Sequence, residues 1–351
     1  AALASDNDRR TFIDAELDRC TQTEFWRGKN GQLWKVAHPK IRPVGSLKAG
    51  EDSSGIPLAD YYDDYALFAY SQTDDHDARE VLTADFFVRR DVNPTRYSKV
   101  ASLPSQFVDQ IHRAGNMTSA WTLAYFIMFT ALPRNAASQM YRAYLGLDIA
   151  KQEGLYSVAN EPQDYDAKGV TAKECAACHA TLDPLTYPFR NYNGISNAMY
   201  SVQYINNRLE TFFPTVAPRI TQTPERGVIF NQPVNNLREW ARVGADSDAF
   251  AISTTTDYWK LLVGHAPRPD ENAEFVATWQ RFKGNQAKAD GYLKRVGELN
   301  AGRAADLQRL FATVDRVVAT PLKERQGRGE KKGRRAIVTL GYALNPDGSM
   351  N

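Results

Sequence analysis

The chain has 351 residues, of which 43% are hydrophobic, 11% aromatic and 24% charged, an ordinary composition that excludes disordered, collagenous and low-complexity classes. Lys and Arg number 43 against 41 Asp and Glu, a net charge of +2, so no global field draws the chain to nucleic acid. Three cysteines are too few for a dense disulfide scaffold, and a chain this long buries enough core to need none.

The chain opens Ala1-Ala2-Leu3-Ala4-Ser5, with no charged-then-apolar leader. This small-residue pattern is what the end of a cleaved leader leaves, and also what a trimmed start leaves. Residues 1–55 carry Trp26, Trp34 and a turn-rich stretch from Pro39 to Gly55, which reads as irregular structure with some helix. Helices are expected over 57–72, where Asp60, Asp63 and Asp64 oppose Tyr61, Tyr65, Leu67 and Phe68, and over 78–92. Between them, Asp74-Asp75-His76-Asp77 lacks the glycine turn and spaced ligands of a calcium loop and reads as a solvated connection.

Residues 104–131 read as a long apolar helical region broken near Gly115. Its uncharged stretch, Ala114 to Pro133, has the length of a membrane span. It also contains Asn116, Thr118, Ser119, Thr122 and Thr130, and is expected to be a buried helix with no membrane-spanning role. Residues 134–153 put Met140, Tyr141, Tyr144, Leu145 and Ile149 on one helical face.

The sharpest motif follows at Cys175-Ala176-Ala177-Cys178-His179. C-x-x-C-H is the attachment pattern of c-type haem. One helical turn sets both thiols on one porphyrin edge, where they add across the two vinyl groups, and places His179 beneath the iron as a ligand. C-x-x-C also occurs in redox dithiols and zinc sites. Zinc needs two further soft ligands, and only Cys20 and scattered histidines remain. A thioredoxin-like dithiol needs a preceding strand and a βαβ context, which the sequence does not offer. Covalent haem implies an exported, oxidising location. Cys20 then remains as a buried thiol or one paired with another chain.

After the motif, Pro184 and Pro188 are expected to end the haem helix. The loop at Asp183-Pro184-Leu185 is expected to give a carbonyl to the second ring N–H of His179. Tyr187, Phe189 and Tyr192 pack either on the porphyrin edge or in ordinary core. With Pro184, Tyr187 and Tyr192 complete the expected cofactor contacts.

The run Cys175 to Leu185 followed by Asn191-Tyr192-Asn193-Gly194 resembles the planctomycete-type cytochrome family, multi-module bacterial proteins with a C-x-x-C-H haem module. Leu82-Thr83-Ala84-Asp85-Phe86-Phe87 is similar to a signature of an earlier module, and Arg113-Ala114-Gly115 to the opening of the haem module. The stretch from Leu237-Arg238-Glu239-Trp240-Ala241 to Leu261-Leu262-Val263-Gly264 resembles the closing helical module. The resemblance spans roughly residues 57–300 and implies export, helix and haem, with no substrate. Ser119 stands where the family often has histidine, and Tyr187-Pro188-Phe189 replaces its usual glycine-led stretch.

A six-coordinate haem needs a second axial ligand, usually Met or His. Met117, in the string that resembles the module opening, ranks first, followed by His265 and Met199, then Met128. An open or water-bound iron is the alternative. Residues 200–233, rich in proline, read as a long loop with a short hairpin, and three or four helices are expected from 235 to 318. From Lys323 to Arg335 there are seven Lys or Arg against two Glu, a basic tract that is either a solvated loop or a docking site for an acidic partner or phospholipid surface.

The expected fold is therefore mostly α, a bundle-like architecture with long irregular loops around one covalent haem c. Its expected divisions are an irregular segment (1–55), a helical module (56–103), a haem module (104–233), a second helical module (234–320) and a basic tail (321–351). The expected function is an exported bacterial monohaem cytochrome, periplasmic, extracellular or associated with the outer membrane, passing single electrons to a redox partner protein. A haem enzyme with an open distal site, or a haem-bearing subunit of a larger electron-transfer assembly, is the alternative. No phosphate loop, nucleophile elbow or H-E-x-x-H pair is present.

Overall fold

Short polar side chains set where the chain first coils. The computed structural model describes residues 5–42, 59–92, 95–127, 130–194, 202–215, 217–220 and 226–284. Ser5 caps helix α1 (Asp6–Thr21) by accepting the Asp8 N–H at 3.2 Å. Thr23 caps α2 (Glu24–Arg27) in the same way through the Trp26 N–H, and α3 (Gln32–Ile41) follows. The first 55 residues, expected to be irregular, are thus helical over most of their described part. Capping hydroxyls satisfy the orphan amides of a first turn, and they carried this signal where hydrophobic periodicity was weak.

Asp60 starts α4 (Tyr61–Ser71) by accepting the Tyr62 N–H. The helix expected over 78–92 is instead one turn, α5 (Glu80–Thr83), followed by strand β1 (Phe87–Asp91). β1 pairs antiparallel with β2 (Arg96–Val100), Phe87 opposite Val100 and Asp91 opposite Arg96. Aromatic and β-branched residues at Phe86-Phe87-Val88 favour this pleated surface.

The apolar stretch from 104 also breaks up. It forms 3₁₀ turns at 110–112 and 115–118, a short α6 (Ala120–Thr122) and a wider π turn at Leu123–Ile127. Gly115 causes the first break. Its φ is +47°, and a Cβ there would lie 2.2 Å from the Val81 carbonyl oxygen, so only glycine lets this backbone rest on α5. Its N–H donates to Ala84 at 2.8 Å.

Helix α7 (Arg134–Leu145) stops at Gly146, φ +68°. Then come α8 (Lys173–Thr186), α9 (Arg208–Phe212) and α10 (Ala217–Ile220). Strands β3 (Gly227–Ile229) and β4 (Gln232–Val234) form the expected short hairpin around Phe230 and Asn231, both at positive φ. Three helices close the described chain: α11 (Leu237–Ala245), α12 (Asp248–Val263) and α13 (Asn272–Gly284). Helix dominates, as expected. The remaining expected helices and the basic tract 323–335 lie outside the described residues.

One hydrophobic core runs from Trp26 to Phe282 across the divisions expected from sequence. α7 lies centrally, packed on α3, α8 and α12. Lys40 of α3 pairs with Asp257 of α12 at 2.7 Å and donates to the Ala143 carbonyl of α7. The indole of Trp121 donates to the Ile41 carbonyl at 2.8 Å. No helix among the described residues is long and apolar enough to cross a membrane.

Among the described residues Arg208 and Asp64 are two of several ionisable groups that sit inside. The Arg208 guanidinium donates to the carbonyls of Thr130, Ala131 (3.0 Å) and Arg190 (3.1 Å) and to Asn193 Oδ1 (3.2 Å). Burial pulls its pKa down to about 9. Arg208→Met leaves these acceptors without their donor and is expected to cost about 3 kcal/mol in urea unfolding; a loss below about 1 kcal/mol contradicts this role.

Asp64 accepts from Ser119 at 2.7 Å. Burial, only partly offset by that hydrogen bond, pushes its carboxyl well above the usual range. Below the ordinary carboxylate pKa, both folded and unfolded states are protonated. Above it the unfolded chain ionises while the buried group keeps its proton, so stability falls as pH rises. Asp64→Asn should therefore gain about 1 kcal/mol over wild type at pH 7 and lose that advantage by pH 4; an equal gain at both pH values contradicts the assignment.

Candidate functional site

The C-x-x-C-H motif occupies the first two turns of α8. Cys175 is exposed, Cys178 half-buried, and both are free thiols. The Cys178 thiol points to the Ile149 carbonyl at 3.6 Å. Glu174 in the first turn suits the helix dipole, and the Ala176 N–H closes the first turn onto the Ala172 carbonyl at 2.8 Å.

α8 does not stop before Pro184, as the prolines suggested; it continues to Thr186 and then tightens into a 3₁₀ turn at Tyr187–Phe189. Pro184 has no N–H, which frees the Ala180 carbonyl four residues back. The Val158 N–H fills that vacancy at 3.1 Å, tying the 150s segment to the helix. Gly227 lies so close that a Cβ would meet Pro188 Cγ at 2.5 Å and the Pro184 oxygen at 2.6 Å. The hairpin β3–β4 thus seats directly on α8.

Because the helix continues, residue 183 stands one turn after His179 and presents a side chain where a loop carbonyl was expected. His179 Nδ1 lies 2.9 Å from Asp183 Oδ1. A carboxylate that accepts here puts a proton on Nδ1, and in the neutral imidazole Nε2 then carries the lone pair. Asp183 is fully buried, while the His179 side chain keeps 23% of its exposure. Arg134, at the start of α7, grips the carboxylate with Nε at 2.7 Å and Nη2 at 3.0 Å. Its Nη1 reaches Asp166 at 2.7 Å. Burial works against the Arg134 charge, but the hydrogen bonds of Asp183 and Asp166 outweigh it and hold the guanidinium above its ordinary pKa.

The other expected site residues disperse. Tyr187 is buried beside this cluster and donates to Glu161 at 2.8 Å. Burial, reinforced by that carboxylate, raises the Tyr187 pKa. Pro184 is buried inside α8. Tyr192 points away, donating to the His112 carbonyl at 2.6 Å. It lines a cleft of about 380 Å³ with His112, Arg190, Tyr204 and Arg238, which the motif residues do not line. Met117 is fully buried, in a turn that packs on α4, α5 and α6, whereas α8 packs mainly on α7 and β3. The Gly115 contact with α5 fixes that orientation. His265 bonds to the Ala266 carbonyl at 2.8 Å and faces Glu271 at 3.6 Å. Cys20 is half-buried on α1. Met128 and Met199 lie outside the described residues.

Sequence reading missed Asp183 as a side chain and Arg134 altogether. The i, i+4 spacing of His179 and Asp183 was visible, but a helix end assumed at Pro184 hid it. Arg134 lies 49 positions before Asp183, with no local signal.

Among the described residues no three His, Cys, Asp or Glu side chains converge as a metal-ion site. Cys175, Cys178 and His179 follow one another along the first turns of α8. Comparison with known protein families, characterised proteins and solved structures finds no match.

Gly227→Val forces its side chain into Pro188 and Pro184 and is expected to cost about 2 kcal/mol in urea unfolding. A neutral result contradicts direct seating of the hairpin on α8.

Proposed function

We propose that this protein is an exported monohaem c-type cytochrome that carries single electrons between redox partners. The observation that carries the reading is the state of the three donors on α8. Two thiols outside any disulfide lie one turn apart, Cys175 exposed and Cys178 half-buried, and the adjacent imidazole has its Nδ1 on Asp183. That arrangement suits two thioether bonds at Cys175 and Cys178 and coordination by His179 Nε2. Bound haem supplies one-electron cycling between ferric and ferrous iron.

The chain's own residues supply attachment, orientation and burial. The Ala180–Val158 bond and the Gly227 contact hold α8 in place, and Asp183 fixes the plane and tautomer of the imidazole. Tyr187, beside Asp183, walls the same end of the helix. Exposure at Cys175 leaves the tethering edge near the surface, where electron exchange with a partner protein needs it. Covalent attachment places the mature protein in a periplasmic, extracellular or outer-membrane-associated bacterial setting.

Met117 packs on α4, α5 and α6, and His265 bonds to the Ala266 carbonyl, which favours a second reading. In it the iron has an open sixth position and binds small ligands, as in a haem enzyme.

Expression in a bacterium able to attach haem should give a red protein heavier than the bare chain by one haem. Cys175→Ala with Cys178→Ala should reduce attachment at least tenfold. Colourless wild-type protein with the bare-chain mass overturns the reading. Carbon monoxide added to the reduced protein separates the two forms: no spectral change identifies two protein ligands, and rapid change identifies an open site.

A further inference from the structure

Beside His179 two buried carboxylates meet around one guanidinium. Asp183 is fully buried and Asp166 retains only 6% exposure, yet both share the single guanidinium of Arg134. Lys168 adds a looser contact to Asp166 at 3.5 Å from an exposed position. Of the two carboxylates, the one nearest the imidazole is the one Arg134 holds with a two-point fork. Oδ1 of Asp183 accepts from both Arg134 Nε and His179 Nδ1.

We propose that Asp183, locked in place by Arg134, is a positioning residue that strengthens His179 as an iron ligand and lowers the reduction potential of this centre. The inference rests on the haem reading above. A carboxylate that accepts the Nδ1 proton pushes electron density toward Nε2, as carboxylate–histidine–metal triads do. The extra density and the nearby Asp183 carboxylate both favour the ferric state, which carries one more positive charge than the ferrous. In the interior such charge effects are weakly screened. A backbone carbonyl in the same place, as the sequence suggested, would be neutral and would act less.

Arg134 tempers the effect. It draws on the same Oδ1 lone pairs, so the donor strength of His179 depends on how Arg134 divides itself between α8 and Asp166. Arg134 thereby makes the 160s segment part of the redox site.

Redox titration of the haem-loaded full chain tests this. Asp183→Asn keeps the shape but removes the charge, and Arg134 keeps Asp166 as its partner. The expected result is a haem-bearing protein whose reduction equilibrium shifts at least tenfold toward the ferrous state, about 59 mV for one electron. Arg134→Lys keeps a positive charge but gives up the fork, releasing Asp183 to His179. Its expected shift is at least threefold toward the ferric state, opposite in sign. Haem per chain, read by mass, is the control. Haem-bearing Asp183→Asn with an unchanged potential overturns the inference and leaves the haem reading standing. If Asp183→Asn yields no folded protein, Arg134→Lys decides, and an unchanged potential there overturns it. A wild-type chain without haem removes both.

Discussion

A buried carboxylate between an arginine and a histidine organises the candidate site. Asp183 has no solvent exposure and accepts from both Arg134 and His179. Removing such a charge from water is costly unless hydrogen bonds replace the lost hydration. Here the fork of Arg134 and the imidazole N–H provide them. The same bonds join α7 to α8, so the packing of two central helices and the orientation of one ring are a single arrangement.

That arrangement needs α8 to run past Pro184. A proline inside a helix removes one hydrogen bond and leaves a carbonyl open. The Val158 amide occupies that carbonyl, and Gly227 lets a hairpin approach the same helix turn. Two distant segments, near 158 and 227, therefore support the geometry that puts Asp183 one turn from His179. The local defect is compensated by tertiary contacts, and the compensation holds the 150s segment beside Cys178.

Much of the helical fold could be read in the chain because its signals are local. The face of Met140, Tyr141, Tyr144 and Leu145 marked α7, and the proline-rich stretch 200–233, read as a loop with a short hairpin, holds β3. Where the reading failed, longer-range physics decided. The helix expected at 78–92 gave way to a β-hairpin because Phe87 and Val88 find a partner strand at 96–100. The apolar run from 104 broke where Gly115 meets α5. The placement of Cys175, Cys178 and His179 on one helix was legible, since it depends on local spacing. The surroundings of the motif were not, since Arg134 and Asp166 approach Asp183 only in three dimensions. Met117 stands in the string Arg113 to Thr118, and packing against α4 and α5 turns it into the core.

Iron-edge anomalous diffraction from crystals of the matured protein tests the central claim most directly. The account predicts one iron beside α8, coordinated by His179 Nε2, with thioether bonds to Cys175 and Cys178 and the Asp183 carboxylate still on Nδ1. An iron bound elsewhere, or thiols of the motif left unbonded in the iron-loaded protein, would contradict it.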